Sequence, residues 1–237
     1  MQCIILAGGL GARMRPLTET CPKTLLPVCG RPFAYHQLHW LAAQGITEVV
    51  YCIGHKGHLI REYWAREQPP IPSLGYVDEG DHLRGTGGAI RLALEQGVLE
   101  ECFLVIYGDS FLPVEFAPIW QAFQSSNKPA LMTVLHNEGR WDRSNAIYEN
   151  GRVVLYDKTA NAAMRYIDYG LSAFRRDLFE SIPDKVFDLS TLFHDLSLKG
   201  NLAGLEVRQR FYEIGSPSGL NDLEQYLVAA APVAGGW

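Results

Sequence analysis

Short apolar runs that alternate with helix-length segments predict an α/β fold with a mixed, mostly parallel central sheet. Cys3–Leu6, Glu48–Ile53 and Phe103–Tyr107 are apolar almost throughout, as strands covered on both faces are. Helical patterns of about 10–15 residues lie between such runs, the arrangement of βαβ units. A glycine turn, Ala7-Gly8-Gly9, stops the first run abruptly.

The elements follow in order. Cys3–Leu6 is the first strand, Phe33–Ala43 a helix ended by the turn residue Gly45, and Glu48–Ile53 the next strand. Leu59–Arg66 is helical up to the break Pro69-Pro70-Ile71-Pro72, and Leu74–Val77 is a short strand. Gly88–Glu95 has helical spacing in Ile90, Leu92, Ala93 and Leu94, and Phe103–Tyr107 is a strand ended by Gly108-Asp109. The second half changes character. Ala130–His136 and Asp168–Phe174 read as strands, and Ala146–Tyr148 and Val153–Tyr156 flank Glu149-Asn150-Gly151. Asn-Gly between two β-runs signals a hairpin. Ser218–Ala230 is a closing helix, and Pro232–Trp237 is expected to fray. With no linker or repeat, residues 1–237 are expected to form one domain: a doubly wound half, 1–128, and a strand-rich half, 129–230, on the same sheet.

Composition narrows the function. The 237 residues carry 21 Lys+Arg against 26 Asp+Glu, a formal charge of −5, and 47% are hydrophobic. Disorder, fibre and coiled coil are disfavoured. Net acidity argues against nucleic-acid binding, which asks for a basic surface, but leaves room for a small anion held by a few local cations. No apolar stretch reaches the ~18 residues of a membrane span, and MQCIILAGG lacks the basic start of a signal peptide. The five cysteines form no CxxC pair and read as reduced thiols, so a cytoplasmic location is expected.

Chemistry concentrates in Leu6-Ala7-Gly8-Gly9-Leu10-Gly11-Ala12-Arg13-Met14-Arg15-Pro16-Leu17-Thr18, followed by Pro22-Lys23. Glycines after a first strand let the backbone approach a phosphate chain with N–H groups turned toward it. Arg13 and Lys23 add positive charge to that corner, so a nucleotide polyphosphate is the expected ligand, at the carboxyl end of a parallel strand. A dinucleotide GxGxxG beginning at Gly9 fails because Met14 stands at its third glycine, and no GK[ST] run supports a Walker A loop.

This segment resembles the opening motif of the sugar-1-phosphate nucleotidylyltransferases, LAGGxGxRxxPLT…PK. Gly30-Arg31-Pro32, Gly85-Thr86-Gly87-Gly88-Ala89-Ile90, Tyr107-Gly108-Asp109, Asp157-Lys158 and Tyr212-Glu213-Ile214-Gly215-Ser216-Pro217 extend the resemblance over nearly the whole chain. It is greatest to short members acting on mannose, heptose or N-acetylmuramate 1-phosphates. The resemblance implies a Rossmann-like three-layer sandwich of the nucleotide-diphospho-sugar transferase type. The first half would bind nucleotide and the second sugar. It also implies a reaction: a sugar 1-phosphate oxygen attacks the α-phosphorus of an NTP and expels pyrophosphate. The nucleophile is already anionic, so the need is for orientation and charge neutralisation.

The resemblance assigns Arg13, Lys23 and Asp109 to catalysis, and Asp109 with Glu213 to Mg²⁺. Many relatives have Asp where Glu213 stands. Leu6, Ala7, Gly8, Gly9, Gly11, Glu79 and Gly87 would serve the nucleotide, with amides of Gly85–Gly88 facing the base or ribose. Asn145, Asp157, Lys158 and Gly170 would serve the sugar phosphate. Ser144-Asn145-Ala146 stands where relatives often have Tyr-Gly, so the sugar is left open. By overall resemblance the partners are GTP with a mannose- or heptose-type 1-phosphate, then UTP; membrane is not among them, and a homo-oligomer is compatible. Two alternatives stay open: a phosphocholine-type cytidylyltransferase, with Tyr166 and Tyr169 as candidate cage residues, and a catalytically silent nucleotide-sugar-binding regulatory protein. His36 and His39 at i,i+3 read as helix packing, His55 and His58 as helix-end residues, and Trp40, Trp64, Trp120 and Trp141 as core or pocket wall.

Overall fold

A computed structural model describes residues 1–159 and 162–230; the expected fraying of 232–237 lies outside the described residues. The elements are β1 (Gln2–Ala7), β2 (Pro27–Val28), β3 (Arg31–Pro32), α1 (Phe33–Ala43), β4 (Glu48–Ile53), α2 (Gly57–Arg66), β5 (Ser73–Asp78), α3 (Gly85–Glu95), β6 (Cys102–Tyr107), β7 (Ser110–Phe111) and α4 (Phe116–Ser126). After them come β8 (Ala130–His136), β9 (Ala146–Glu149), β10 (Arg152–Tyr156), β11 (Tyr166–Arg175), α5 (Arg176–Glu180), α6 (Leu189–Leu198), β12 (Leu202–Val207), β13 (Tyr212–Glu213) and α7 (Pro217–Ala230). Single 3₁₀ turns occupy Ala12–Met14, Leu17–Glu19 and Lys23–Leu25.

One sheet runs through both halves in the order β5-β4-β1-β6-β11-β8-β12-β10-β9. Its apolar strands serve two cores. Alternation along β1 sends Cys3 and Ile5 into a cluster with Leu38, Ile60 and Phe116 from α1, α2 and α4. It sends Ile4 into a second cluster with Ile90, Phe179 and Phe193 from α3, α5 and α6. That is why the first strands are apolar on both sides rather than alternating with polar residues.

The expectation of a mostly parallel sheet holds only for the first half. Strands β5, β4, β1 and β6 are parallel neighbours, but β6–β11, β11–β8, β12–β10 and β10–β9 are antiparallel, leaving β8–β12 as the parallel pair of the second half. That half also curls. Tyr166 on β11 pairs with Ala146 on β9, so β11-β8-β12-β10-β9 closes into a small barrel rather than extending an open layer. The bend arises in β11, whose register shifts between Asp168 and Ser172, with Gly170 at φ +93°. A bulge with a glycine in the left-handed region turns a strand out of a flat ladder.

The Asn-Gly hairpin forms as expected. Asn150 and Gly151 have φ +50° and +78°, the paired positive values that a two-residue turn between twisted strands requires. Eight elements fall outside the sequence expectation: the two-residue strands β2, β3, β7 and β13, the short helix α5, and the longer α4, α6 and β12. Pro118 interrupts the apolar pattern of α4, although a proline is tolerated in a helix's first turn.

A third apolar cluster joins Met14, Leu26, Val28, Phe33, Phe111, Ile214 and Leu223. It anchors the small β7–β13 ladder to α7 and to the 3₁₀ turns, beside the carboxyl ends of β1 and β6. Among the described residues no helix is long and apolar enough to cross a membrane.

Candidate active site

The carboxyl ends of β1 and β6 open onto a cavity of about 260 Å³ lined by Leu6, Ala7, Gly8, Gly9, Gly11, Lys23, Glu79, Tyr107 and Asp109, among others. Two glycines permit this convergence. A Cβ on Gly108 would lie 2.9 Å from Ala7 Cβ, so only glycine lets the β6 turn lie against β1. Gly11 has φ +63°, and Thr18 Oγ1 donates to its carbonyl at 2.9 Å, folding the loop back on itself. Glu79 closes the opposite wall. Its Oε2 accepts from the Arg84 amide at 2.7 Å, and burial is the main cause of its raised pKa.

Lys23 enters on its 3₁₀ turn, fixed by Thr24 Oγ1 donating to the Gly108 carbonyl at 3.1 Å. Its Nζ lies 2.6 Å from Asp109 Oδ2, with both side chains mostly shielded from solvent. Asp109 immediately precedes β7, and Glu213 ends β13. The ladder pairs Glu213 with Ser110, and the Ile214 amide donates to the Asp109 carbonyl at 3.0 Å. The two carboxyls are therefore neighbours. Burial, then the Asp109 charge, push Glu213 up to about 7, against the pull of Arg13 and Lys23. Arg13 Nη2 lies 3.3 Å from where a Cβ on Gly215 would stand, and Asp109 Oδ2 4.0 Å from the same point. Arg13, Lys23, Asp109 and Glu213 thus share one corner.

This corner has the chemistry of a Mg²⁺ site. Magnesium is commonly held by one or two carboxylates with substrate phosphates completing its shell, and two carboxyls side by side are the arrangement a dication relieves. Among the described residues no group of three or more His, Cys, Asp and Glu could hold a metal, so the pair needs substrate oxygens.

A second cavity of about 150 Å³ adjoins, lined by Tyr107, Asp142, Asn145, Ile167, Asp168, Gly170, Phe211 and Glu213. Tyr107 lines both cavities, Asp109 the first and Glu213 the second. Asn145 and Gly170 line this second space, and both support Asp168. Asn145 Oδ1 accepts from the Asp168 amide at 2.9 Å, and the Gly170 amide donates to Asp168 Oδ1 at 2.9 Å. Burial raises Asp168 to about 6, opposed by that amide and by the Lys158 charge. Lys158 therefore acts on this pocket from its edge.

Other expected site residues are placed differently. Gly87 does not line the nucleotide cavity. It packs on Phe187, whose ring carbon would lie 2.1 Å from an added Cβ, and the amides of Gly87 and Gly88 both donate to the Phe187 carbonyl. The Thr86 amide donates to Asp188 Oδ1. The start of α3 thus spends these amides within the chain, while Gly85 and Thr86 line the cavity. Asp157 lines neither cavity, and its Oδ1 accepts from the Thr159 hydroxyl and amide, which hold its pKa down. Tyr166 and Tyr169 form no cage: Tyr169 is buried in the core, and Tyr166 packs edge-on against Tyr148 and His136. His36 and His39 donate to the carbonyls of Val28 and Tyr35.

The residues missed from sequence are Tyr107, Asp142, Asp168, Asp188 and Phe211. One signal was present: Asp168 is the charged residue within the otherwise apolar run Tyr166–Phe174. A charge there asks for a partner or a ligand.

A nucleotide-sized cavity at the carboxyl end of parallel strands, with convergent cations and a carboxylate pair, defines a nucleotidyl-transfer type of site. Comparison with known proteins agrees, because residues 2–154 match the family model described as nucleotidyl transferase. The chain belongs to the nucleotidyl transferase family. A D-glycero-α-D-manno-heptose 1-phosphate guanylyltransferase of Aneurinibacillus thermoaerophilus is 28% identical, over 92% of this chain and 94% of its own length. A mannose-1-phosphate guanylyltransferase of Mycobacterium tuberculosis is 31% identical, over 77% of this chain and 51% of its own. Among solved structures, HddC from Yersinia pseudotuberculosis complexed with GMP-PN superposes with a TM-score of 0.82, covering 95% of this chain and 99% of that one at 21% identity. That likeness shows the fold.

Proposed function

We propose that this enzyme transfers a nucleotidyl group from an NTP to a sugar 1-phosphate, giving an NDP-sugar and pyrophosphate. The carrying observation is the pair of adjoining cavities, with Asp109 in one wall and the neighbouring Glu213 in the other. A triphosphate in the first places its α-phosphorus beside the second, where the acceptor's phosphate waits. An acceptor oxygen forms the new P–O bond as the bond to pyrophosphate breaks, and no proton needs to move.

Lys23, between the glycine loop and Asp109, offsets repulsion between the two anions as they approach. Arg13 faces the departing pyrophosphate, where a planar guanidinium can hold two oxygens at once. Asp109 and Glu213 would hold Mg²⁺, which when bound neutralises phosphate charge. Asn145, Gly170 and Asp168 orient the sugar, with Lys158 at its phosphate edge. In this reading residues 1–128 serve the nucleotide and 129–230 the sugar, within a Rossmann-like framework. The location is cytoplasmic.

We assign GTP as nucleotide and a mannose- or heptose-type 1-phosphate as acceptor. Support comes from the named activities of the relatives and from the half-buried Glu79 carboxylate in the cavity wall, an acceptor for guanine N–H groups. Incubation of GTP, UTP, CTP and dTTP with a panel of sugar 1-phosphates and phosphocholine in the presence of Mg²⁺, with pyrophosphate as the readout, tests the proposal. Release with GTP and a mannose- or heptose-type acceptor is expected. No release with any pair would refute the activity, and preference for CTP with phosphocholine would replace the acceptor class.

A further inference from the structure

A cation–aromatic stack stands beside the second cavity. The Arg210 guanidinium carbon lies 4.0 Å from the centroid of the Trp141 ring and 4.8 Å from that of Tyr212. The same guanidinium pairs with Asp222 on α7. Each aromatic immediately precedes a residue of the cavity wall: Trp141 precedes Asp142, and Tyr212 precedes Glu213. Tyr212 is itself held from behind, stacked on Tyr226 of α7 at 4.6 Å.

Through Trp141 the stack reaches segment 137–144. Its root is rigid: buried Asn137 donates to the Asp142 carbonyl at 2.7 Å and to Ser144 Oγ at 3.0 Å, and accepts from the Trp141 amide at 3.1 Å. Its tip is not. Glu138 and Gly139 turn with φ +48° and +77°, and residues 138–143 are exposed. Trp141, 46% exposed, is the large apolar group at this tip, and what it packs on is Arg210.

We propose that Arg210 is a positioning residue for the acceptor cavity: stacked on Trp141 and Tyr212, it holds segment 137–144 so that Asp142 faces that cavity together with Asp168 and Glu213. This rests on the assignment of that cavity to the sugar 1-phosphate. Its lining residues include three carboxyls and no Lys, Arg or His. With Glu213 assigned to Mg²⁺, Asp142 and Asp168 are the carboxyls left to accept hydroxyl donors and to repel a carboxylate or second phosphate on the far side of the sugar. Neutral, hydroxyl-rich sugar 1-phosphates are the class it selects. A guanidinium suits the task because it is planar: it can lie on aromatic rings while its edge keeps a carboxylate, a geometry that the compact point charge of an ammonium does not reproduce.

The test uses the full chain with Arg210→Met, Arg210→Lys, Trp141→Ala and Trp141→Phe. Hydrogen exchange at the amides of Arg140 and Trp141 reads the tie directly. Arg210→Met and Trp141→Ala should speed it at least tenfold while β8 stays protected; unchanged exchange overturns the proposal. Kinetics with whichever pair the parent turns over read the consequence. The acceptor KM should rise tenfold or more in Arg210→Met and Trp141→Ala, while the NTP KM stays within twofold. Arg210→Lys should not restore it and Trp141→Phe should. An unchanged acceptor KM, or an NTP KM rising in step with it, overturns the role. A parent that turns over no pair would refute the cavity's assignment instead, and exchange alone would then decide whether Arg210 holds the segment.

Discussion

Glu213 is tied to Asp109 through the backbone: the Ile214 amide donates to the Asp109 carbonyl at 3.0 Å, and the β7–β13 ladder sets Glu213 opposite Ser110. The two carboxyls are thus fixed as a pair before any ligand arrives. If they hold Mg²⁺, Asp109→Asn and Glu213→Gln should each raise the Mg²⁺ concentration for half-maximal turnover at least tenfold. Asp109→Asn should also cut kcat by roughly 10²–10³-fold, the usual loss when one preorganised charge is removed. Nucleotide binding, followed by thermal shift, should survive. Magnesium titrations of turnover check this, and a parent-like titration in both variants would remove the pair from the mechanism.

The Lys23–Asp109 ion pair, 2.6 Å long and mostly shielded, yields a second prediction. Removing one partner of a shielded pair costs more than the pair contributes, since the other charge is stranded. Lys23→Met should therefore lower both stability and turnover. In the double variant Lys23→Met/Asp109→Asn the melting temperature should recover in part while turnover does not. Thermal melts with pyrophosphate-release assays separate the two effects. A double variant no more stable than Lys23→Met would show that the pair is not what stabilises this corner.

Gly87 supplies a third. An added Cβ would lie 2.1 Å from the Phe187 ring, so Gly87→Ala should destabilise the fold by about 1–3 kcal/mol, the usual cost of overpacking. Because the Gly87 amide is already bonded to Phe187, the NTP KM of the folded protein should stay within twofold. Urea unfolding and steady-state kinetics measure these. A large rise in NTP KM without loss of stability would return Gly87 to the nucleotide site.

What could be read from the sequence follows the range of each interaction. The strands of the first half and the glycine loop were legible because apolar runs and φ constraints are local. The pairing of Asp109 with Glu213 was legible only through family resemblance, since about a hundred residues separate them in the chain. The curl of the second half was not legible. It depends on a register shift around Gly170 and on β9 meeting β11, neither of which periodicity encodes. Gly87 misled for a related reason: a glycine at a helix start offers its amide to a ligand or to a neighbour, and Phe187, distant in sequence, takes it. Asp168 was the reverse case, a locally visible charge in an apolar strand whose meaning needed the cavity around it.

Asp168 also fixes a pH dependence. Burial raises its pKa from 3.8 to about 6 in the folded chain, against the Gly170 amide and Lys158. Below pH 3.8 the folded and unfolded states are both protonated. Between 3.8 and about 6 the folded state keeps a proton that the unfolded state releases, so this group's contribution to stability falls as pH rises and levels off above 6. Asn at this position carries no such titration and can still accept from the Gly170 amide. Asp168→Asn should therefore be more stable than the parent at pH 7.5, by at most about 3 kcal/mol, the full value of a two-unit shift. The advantage should shrink steadily between pH 6 and pH 4.5. If the carboxylate also receives sugar hydroxyls, the acceptor KM at pH 7.5 should rise about tenfold, the size of one lost charge-assisted hydrogen bond. Urea unfolding across this pH range reads the first effect and kinetics the second. A stability difference that does not change with pH would mean that Asp168 titrates as an ordinary exposed carboxyl, and its place in the acceptor wall would fall with it.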